Sequence, residues 1–227
     1  MRDVELVVVP DAEQAARTAA ELLAAAARRG GHIAFSGGST PRRAYQLAGE
    51  LEPDWAAVDA WLGDERCVPP DDDRANVRLL NETLVASAAR PPVIHPVDTN
   101  LEPDEAAALY DSALIGVGFQ LVLLGLGPDG HTASLFPDAP SLDERQALAV
   151  AAEAGLEPWV DRVTLTIAAL ETTRELVFLA VGADKADAAR RAFGEPPSRS
   201  TPASLVRSAG GDTLAILDRD AAALLTT

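Results

Sequence analysis

Short apolar runs alternate with alanine-rich helical segments along almost the whole chain. Val4 to Val9 reads as a strand, and Asp11 is placed to cap a helical stretch that runs to about Arg29 and ends at Gly30 and Gly31. The pattern then repeats. "HIAF", from His32 to Phe35, reads as a short buried strand, "SGGSTP" as the loop beyond it, and "RRAYQLAG" as the first turns of a helix. Pro41 sits near that helix start, where its missing N–H costs nothing. "VDAWLG" is another strand, feeding the polar loop "DERCVPPDDDRAN" and a helix over roughly Val77 to Ala88, and "PPVIHPV" is a short strand between breakers.

In the second half, Glu105 to Ile115 is helical in pattern. "FQLVLLG" is the strongest strand signal, apolar at nearly every position, as befits a central parallel strand covered on both faces. "ALAV" follows, and in "RVTLTIAALE" a strand end or turn feeds a helix near Ile167. "ELVFLAVG" is a buried strand with a helix after it from Ala183 to Phe193. "GEPPSRSTP" is the most linker-like stretch, and "TLAILD" reads as a strand before a terminal helix. Strands alternating with helices indicate an α/β fold with an open, mostly parallel sheet. The polar, glycine-bearing segments fall at the carboxyl ends of strands, where such sheets bind ligands.

Composition narrows the partners. With 227 residues, 48% of them hydrophobic, the chain can bury a substantial core as one domain or two closely joined ones. Nineteen Lys and Arg against 35 Asp and Glu give a net charge of −16, which argues against nucleic acid or an anionic membrane as a partner. A small anion is still admissible, since a few donors in one cleft are locally positive whatever the sum. Cys67 is the only cysteine, so an intrachain disulfide is excluded. No stretch approaches the roughly 20 apolar residues of a membrane span, and the short apolar run near the start is broken by Pro10 and Asp11, so a soluble cytoplasmic protein is the expectation.

Three segments carry candidate chemistry. "SGGST" (Ser36, Gly37, Gly38, Ser39 and Thr40) brings flexible backbone, hydroxyls and a helix N-terminus together, an arrangement that suits a phosphate or carboxylate; an ordinary capped turn is the alternative. It is not a Walker A loop, because no lysine follows at the required spacing. "GDERCVPPDDDRAN" places Asp64, Glu65 and Arg66 just after a strand, followed by Arg74 and Asn76. Arg66 offers a donor fork for a phosphoryl group or oxyanion, while a solvated charge cluster is the ordinary reading of its neighbours, Asp71, Asp72 and Asp73 included.

The third segment, "GLGPDGHTASLFP" from Gly125 to Pro137, matches G-x-G-x-x-G literally. Pro137 nevertheless stops any helix within about two turns of Gly130, too short for a dinucleotide cradle. The segment reads better as a loop that presents His131 with Asp129 two residues away, and histidine's ordinary pKa of about 6.5 suits proton transfer near neutrality. A histidine bonded to a loop carbonyl is the alternative. His32 and His95 are not spaced with His131 as a zinc set, and no serine lies in a G-x-S-x-G elbow. Lys185 follows a buried strand at a helix start, where it can reach a phosphate or simply decorate the surface.

Taken in order, "FSGGSTP", "WLGDERCVP", "LLGLGPDGHTASLFP", "RVTLT" and "VGADKA" resemble the motifs of the 6-phosphogluconolactonase family across essentially the whole chain. The resemblance implies a single α/β lactonase domain over residues 1–227, with helices on both faces of the sheet, similar to glucosamine-6-phosphate deaminase and ribose-5-phosphate isomerase. It implies hydrolysis of 6-phospho-D-glucono-1,5-lactone, a phosphorylated sugar lactone, in the oxidative pentose phosphate pathway, with no metal and no cofactor. It makes His131 the general base, supported by Asp129 and Arg66, and lines the phosphosugar pocket with Ser36 to Thr40, Arg162 and Lys185. The position after D-E-R, usually bulky in the family, is Cys67 here.

Two rivals remain in view. Related deaminases typically carry D-E-Y and F-N-E-P where this chain has "DER" and "ASLFP", and a sugar-phosphate-binding regulator would keep the pocket without turnover. Monomer and homodimer are both compatible with the sequence.

Overall fold

The computed structural model describes residues 4–155 and 157–225. Ten strands and six α-helices are present among them: β1 (Glu5–Val9), α1 (Ala12–Arg29), β2 (Gly31–Phe35), α2 (Ser39–Leu51), β3 (Val58–Leu62), β4 (Asp64–Arg66), α3 (Asn76–Leu80), β5 (Val93–His95), α4 (Pro103–Ala113), β6 (Phe119–Gly125), β7 (Ala149–Ala152), β8 (Arg162–Leu165), α5 (Ile167–Glu171), β9 (Glu175–Ala180), α6 (Ala186–Phe193) and β10 (Asp212–Asp218). Seven of the strands form one parallel sheet in the order β1-β10-β9-β6-β2-β3-β5.

Alternation along the central strands divides the core. In β6, Val122 and Leu124 face one apolar cluster with α4, α5 and α6, while Leu121 and Leu123 face a second with α1 and α2. Both faces of a parallel strand are thus dry, which is why "FQLVLLG" is apolar at nearly every position. The alanines of α1 recur at helical spacing, and Ala15, Ala16, Ala19, Ala20, Leu23, Ala26 and Ala27 form its buried stripe. Asp11 caps that helix through the Gln14 N–H at 2.9 Å, and Gly30, at φ +70°, ends it.

From β2 and β6, neighbours in the sheet, the chain moves outward in opposite directions, to β3 and β5 on one side and to β9, β10 and β1 on the other. That reversal makes their carboxyl ends a topological switch point, with the Ser36–Thr40 and Gly125–His131 loops side by side above it.

The structure corrects the sequence reading in several places. "DER" is a strand, pairing antiparallel with β8 so that Asp64, Glu65 and Arg66 lie opposite Thr164, Val163 and Arg162, and β7 completes this three-stranded sheet. Three charged residues carry no apolar signal, so only the long-range partner makes them a strand. The helix over Val77 to Ala88 is split, with α3 passing into a π-helical turn at Asn81–Val85. The helix expected from Ala183 opens with a 3-10 turn and becomes regular at Ala186. After β10 the described residues form turns rather than the helix expected there. The linker-like "GEPPSRSTP" ends in Thr201 and Pro202, which are buried, and Ala203 just after it donates its N–H to Gly130 O of the Gly125–His131 loop at 3.0 Å. No helix among the described residues is long and apolar enough to cross a membrane.

Candidate active site

The two loops enclose a cavity of about 280 Å³. Ser36, Gly37, Gly38, Ser39, Thr40, Arg66, His131, Arg162 and Lys185 all line it, so chain segments well over 100 residues apart meet there. Asp129 stands behind the imidazole rather than on the wall. Its Oδ1 lies 2.6 Å from His131 Nδ1 and also accepts the His131 backbone N–H at 3.1 Å. Burial alone would raise the Asp129 carboxyl, but the hydrogen bond and charge of His131 outweigh it and leave it below the usual carboxylate range. An ionised Asp129 takes the Nδ1–H, which fixes the tautomer and leaves Nε2 as the basic nitrogen. The Phe136 ring, 5.2 Å from the imidazole, covers its flank.

One glycine of this loop seats that pair and another lets the loop pack on its neighbours. A Cβ on Gly127 would lie 1.9 Å from His131 Nδ1 and 2.7 Å from Asp129 Oδ1. Gly130 adopts φ +95°, and a Cβ there would meet Thr201 at 2.9 Å. Two of the three glycines in the G-x-G-x-x-G text thus make room for the Asp129–His131 pair and for Thr201.

Across the cavity the other loop behaves differently. Gly38, at φ +101°, is the N-cap residue of α2, and no side chain caps that helix, so its leading N–H groups are available to an anion. Ser36 Oγ is buried with no hydrogen-bond partner among the described residues. Lys185 lines the same cavity and pairs with Asp184 at 3.2 Å. With Arg66 and Arg162 it sets three cationic side chains on a wall that also carries Asp64 and Glu157, so the lining holds one more cation than carboxylate in a chain of net charge −16.

Arg66 is held by a support that sequence reasoning treated as a solvated charge cluster. Its Nη1 donates to Arg74 O at 2.8 Å and to Asn76 Oδ1, while Asn76 Nδ2 donates to Asp64 O at 2.7 Å. Asp64 Oδ2 accepts the Ser134 hydroxyl at 2.7 Å, tying this segment to the histidine loop. Glu65, 1% exposed, accepts the backbone N–H groups of Arg66, Asn76 and Val77 at 2.7 to 2.8 Å. Burial pushes its carboxyl up to about 7, with those three N–H groups opposing the shift. Asn76 also explains Gly37: a Cβ there would lie 1.8 Å from Asn76 Oδ1.

Arg162 lines the cavity but commits donors to its own loop, Nε to Val160 O and Nη2 to Pro158 O, both at 3.1 Å. Burial lowers its proton affinity from the usual guanidinium value. Cys67 is half-buried, and its thiol is pushed up to about 11 by burial and by nearby carboxylates, which makes it a poor nucleophile near neutrality. His32 and His95 lie apart from the site, both beside Asp59. Among the described residues no three His, Cys, Asp or Glu side chains are grouped to hold a metal ion. Asp64, Asn76 and Ser134 were visible as text but carried no spacing signal for their roles, because their partners lie in separate segments of the chain, β4, α3 and the histidine loop.

A parallel α/β sheet with a bonded Asp129–His131 pair and an uncapped helix start facing one cavity at its switch point defines the class, and sequence comparison gives the family. Residues 10–215 match the model described as glucosamine-6-phosphate isomerases/6-phosphogluconolactonase, and the chain belongs to that family. A 6-phosphogluconolactonase of Rhizobium meliloti is 37% identical over 203 residues, covering 84% of this chain and 86% of the relative. The solved 6-phosphogluconolactonase of Thermotoga maritima superposes with a TM-score of 0.84 at 29% identity, over 95% of this chain and 100% of that one. A monomeric glucosamine-6-phosphate deaminase shares the fold, with a TM-score of 0.86 at 18% identity over 97% of this chain and 100% of its own.

Proposed function

We propose that this chain works as a single-domain, cytoplasmic lactonase that hydrolyses 6-phospho-D-glucono-1,5-lactone to 6-phospho-D-gluconate, the lactone-opening step of the pentose phosphate pathway. The observation that carries the reading is the Asp129–His131 pair, 2.6 Å apart, on a cavity whose other wall is the uncapped start of α2 with Lys185. His131 Nε2 takes a proton from water as the water oxygen adds to C1. The carbonyl electrons move to oxygen, and the tetrahedral oxyanion is stabilised by Arg66 or loop N–H groups. As the intermediate collapses, the bond from C1 to the ring oxygen breaks and protonated His131 returns its proton to that oxygen. Asp129 holds the ring in one orientation throughout. The phosphate is gripped by Lys185 and the Ser36–Thr40 loop, and Arg162 shapes the sugar end of the pocket.

No step calls for a metal, and full activity after exhaustive chelation is the expected outcome. The primary test is coupled lactonase kinetics on freshly generated substrate, with spontaneous hydrolysis subtracted. The wild-type chain accelerates opening, and His131→Gln loses about 10²- to 10⁴-fold in kcat. Hydrolysis no faster than the background, or a His131→Gln variant that keeps its rate, contradicts the reading. Ammonia release from glucosamine 6-phosphate separates it from deamination, and none is expected.

A further inference from the structure

Arg191 is not on the cavity wall, yet it touches the loop that carries the general base more extensively than any residue that is. Between Gly127 and His131 every backbone carbonyl accepts a hydrogen bond. Gly127 O accepts from Gly130 N at 3.0 Å, Gly130 O from Ala203 N at 3.0 Å, and His131 O from Gly127 N at 2.9 Å. The two remaining carbonyls, Pro128 O and Asp129 O, both accept from the Arg191 guanidinium, from Nη2 at 3.3 Å and from Nη1 at 3.1 Å. The guanidinium is itself fixed, with Nη1 donating to Thr201 Oγ1 at 2.7 Å and Nε to Asp187 Oδ2 at 2.9 Å. There is no slack on the loop side, because a Cβ on Gly130 would come within 3.1 Å of Arg191 Nη1.

We propose that Arg191 is a positioning residue for catalysis, holding the Asp129 backbone so that its carboxylate meets His131 Nδ1. The inference rests on His131 being the base. Asp129 is joined to Arg191 through its carbonyl and to His131 through its side chain, so a displaced carbonyl moves the carboxylate that orients the imidazole. The task needs a planar fork that spans two adjacent carbonyls while still reaching Thr201 and Asp187. A lysine ammonium, a point donor on a flexible stem, cannot reproduce it. Arg191 also lies on α6, which begins immediately after Lys185, so one helix start braces both the phosphate end of the site and the base.

The test compares Arg191→Ala, Arg191→Lys and Asp187→Asn with wild type and His131→Gln, using kcat, KM and thermal midpoint. Misplacing the base by about an ångström lowers kcat for Arg191→Ala by roughly 10- to 100-fold, with KM nearly unchanged. Added methylguanidinium restores part of that kcat in Arg191→Ala but none in His131→Gln, a rescue that a purely structural role does not give. Arg191→Lys recovers little. Asp187→Asn, at an exposed position that leaves the fold intact, shows a smaller loss of kcat in the same direction and carries the test if Arg191→Ala does not fold. Unchanged kcat in both Arg191→Ala and Asp187→Asn, with His131→Gln inactive, overturns the positioning role and leaves the base assignment standing. A raised KM with kcat intact overturns it as well, by making Arg191 a substrate ligand. Wild-type turnover in His131→Gln overturns the base assignment and this inference together.

Discussion

The Ser36–Thr40 and Gly125–His131 loops sit side by side at the carboxyl ends of β2 and β6, both rich in glycine, yet they use it in opposite ways. In the first, Gly37 makes room for Asn76 and Gly38 turns the chain into a helix whose leading N–H groups stay uncapped. In the second, Gly127 and Gly130 let the loop close on itself, each carbonyl from Gly127 to His131 being paired and the imidazole packed against the backbone. One loop leaves donors open for a ligand, and the other uses its hydrogen-bonding capacity to hold a side chain still. Both loops are glycine-bearing; what differs is where their polar groups end.

If that division is right, substitutions in the two regions fail differently. Apart from loss of the His131 imidazole itself, the largest effect is expected at Gly127→Ala, where the new Cβ collides with His131 Nδ1: kcat falls by about 10²-fold while KM changes little. A rise in KM without loss of kcat there would blur the two loops into one binding surface. Next is Lys185→Ala. Losing one charge-assisted contact to phosphate, worth about 1.5–3 kcal/mol, lowers kcat/KM for the phosphorylated lactone by about 10- to 100-fold. The same variant leaves glucono-1,5-lactone nearly untouched, and equal losses on both substrates would remove Lys185 from the phosphate site.

The smallest effects are in stability, and they have opposite signs. Glu65, beneath the first loop, is raised from 4.5 to about 7, so the folded chain binds the extra proton between those values and this contribution is lost as pH rises through that window. The unfolding free energy of wild type relative to Glu65→Gln should therefore fall between pH 5 and 8, by at most about 1.4 kcal/mol per pH unit. Asp129, within the second loop, is lowered, so its contribution is present above its unfolded value of 3.8 and lost as pH falls below it. Wild type relative to Asp129→Asn should lose its advantage only in acid. Urea titrations across pH read both, and parallel slopes would contradict the assignment.

Much of the main sheet was legible, because "FQLVLLG" and "ELVFLAVG" are apolar enough to declare central strands and Asp11 and Gly30 bracket α1 with ordinary cap chemistry. The small sheet was not. Asp64, Glu65 and Arg66 become a strand only because Thr164, Val163 and Arg162 arrive opposite them from a distant part of the chain. The same holds for the site. His131 and Asp129 are two residues apart and could be paired from text, but Arg191 reaches their loop from α6, and Ala203 from just beyond a stretch that resembles a linker. Support of that kind has no local period, so nothing in the spacing announces it.

Binding and turnover measured on one variant test the division of labour most directly. Calorimetric titration of His131→Gln with 6-phosphogluconate, paired with its kcat on the lactone, should give a wild-type dissociation constant for the product alongside a turnover reduced by at least about 10²-fold. Loss of product binding together with turnover, or turnover retained, would contradict the account.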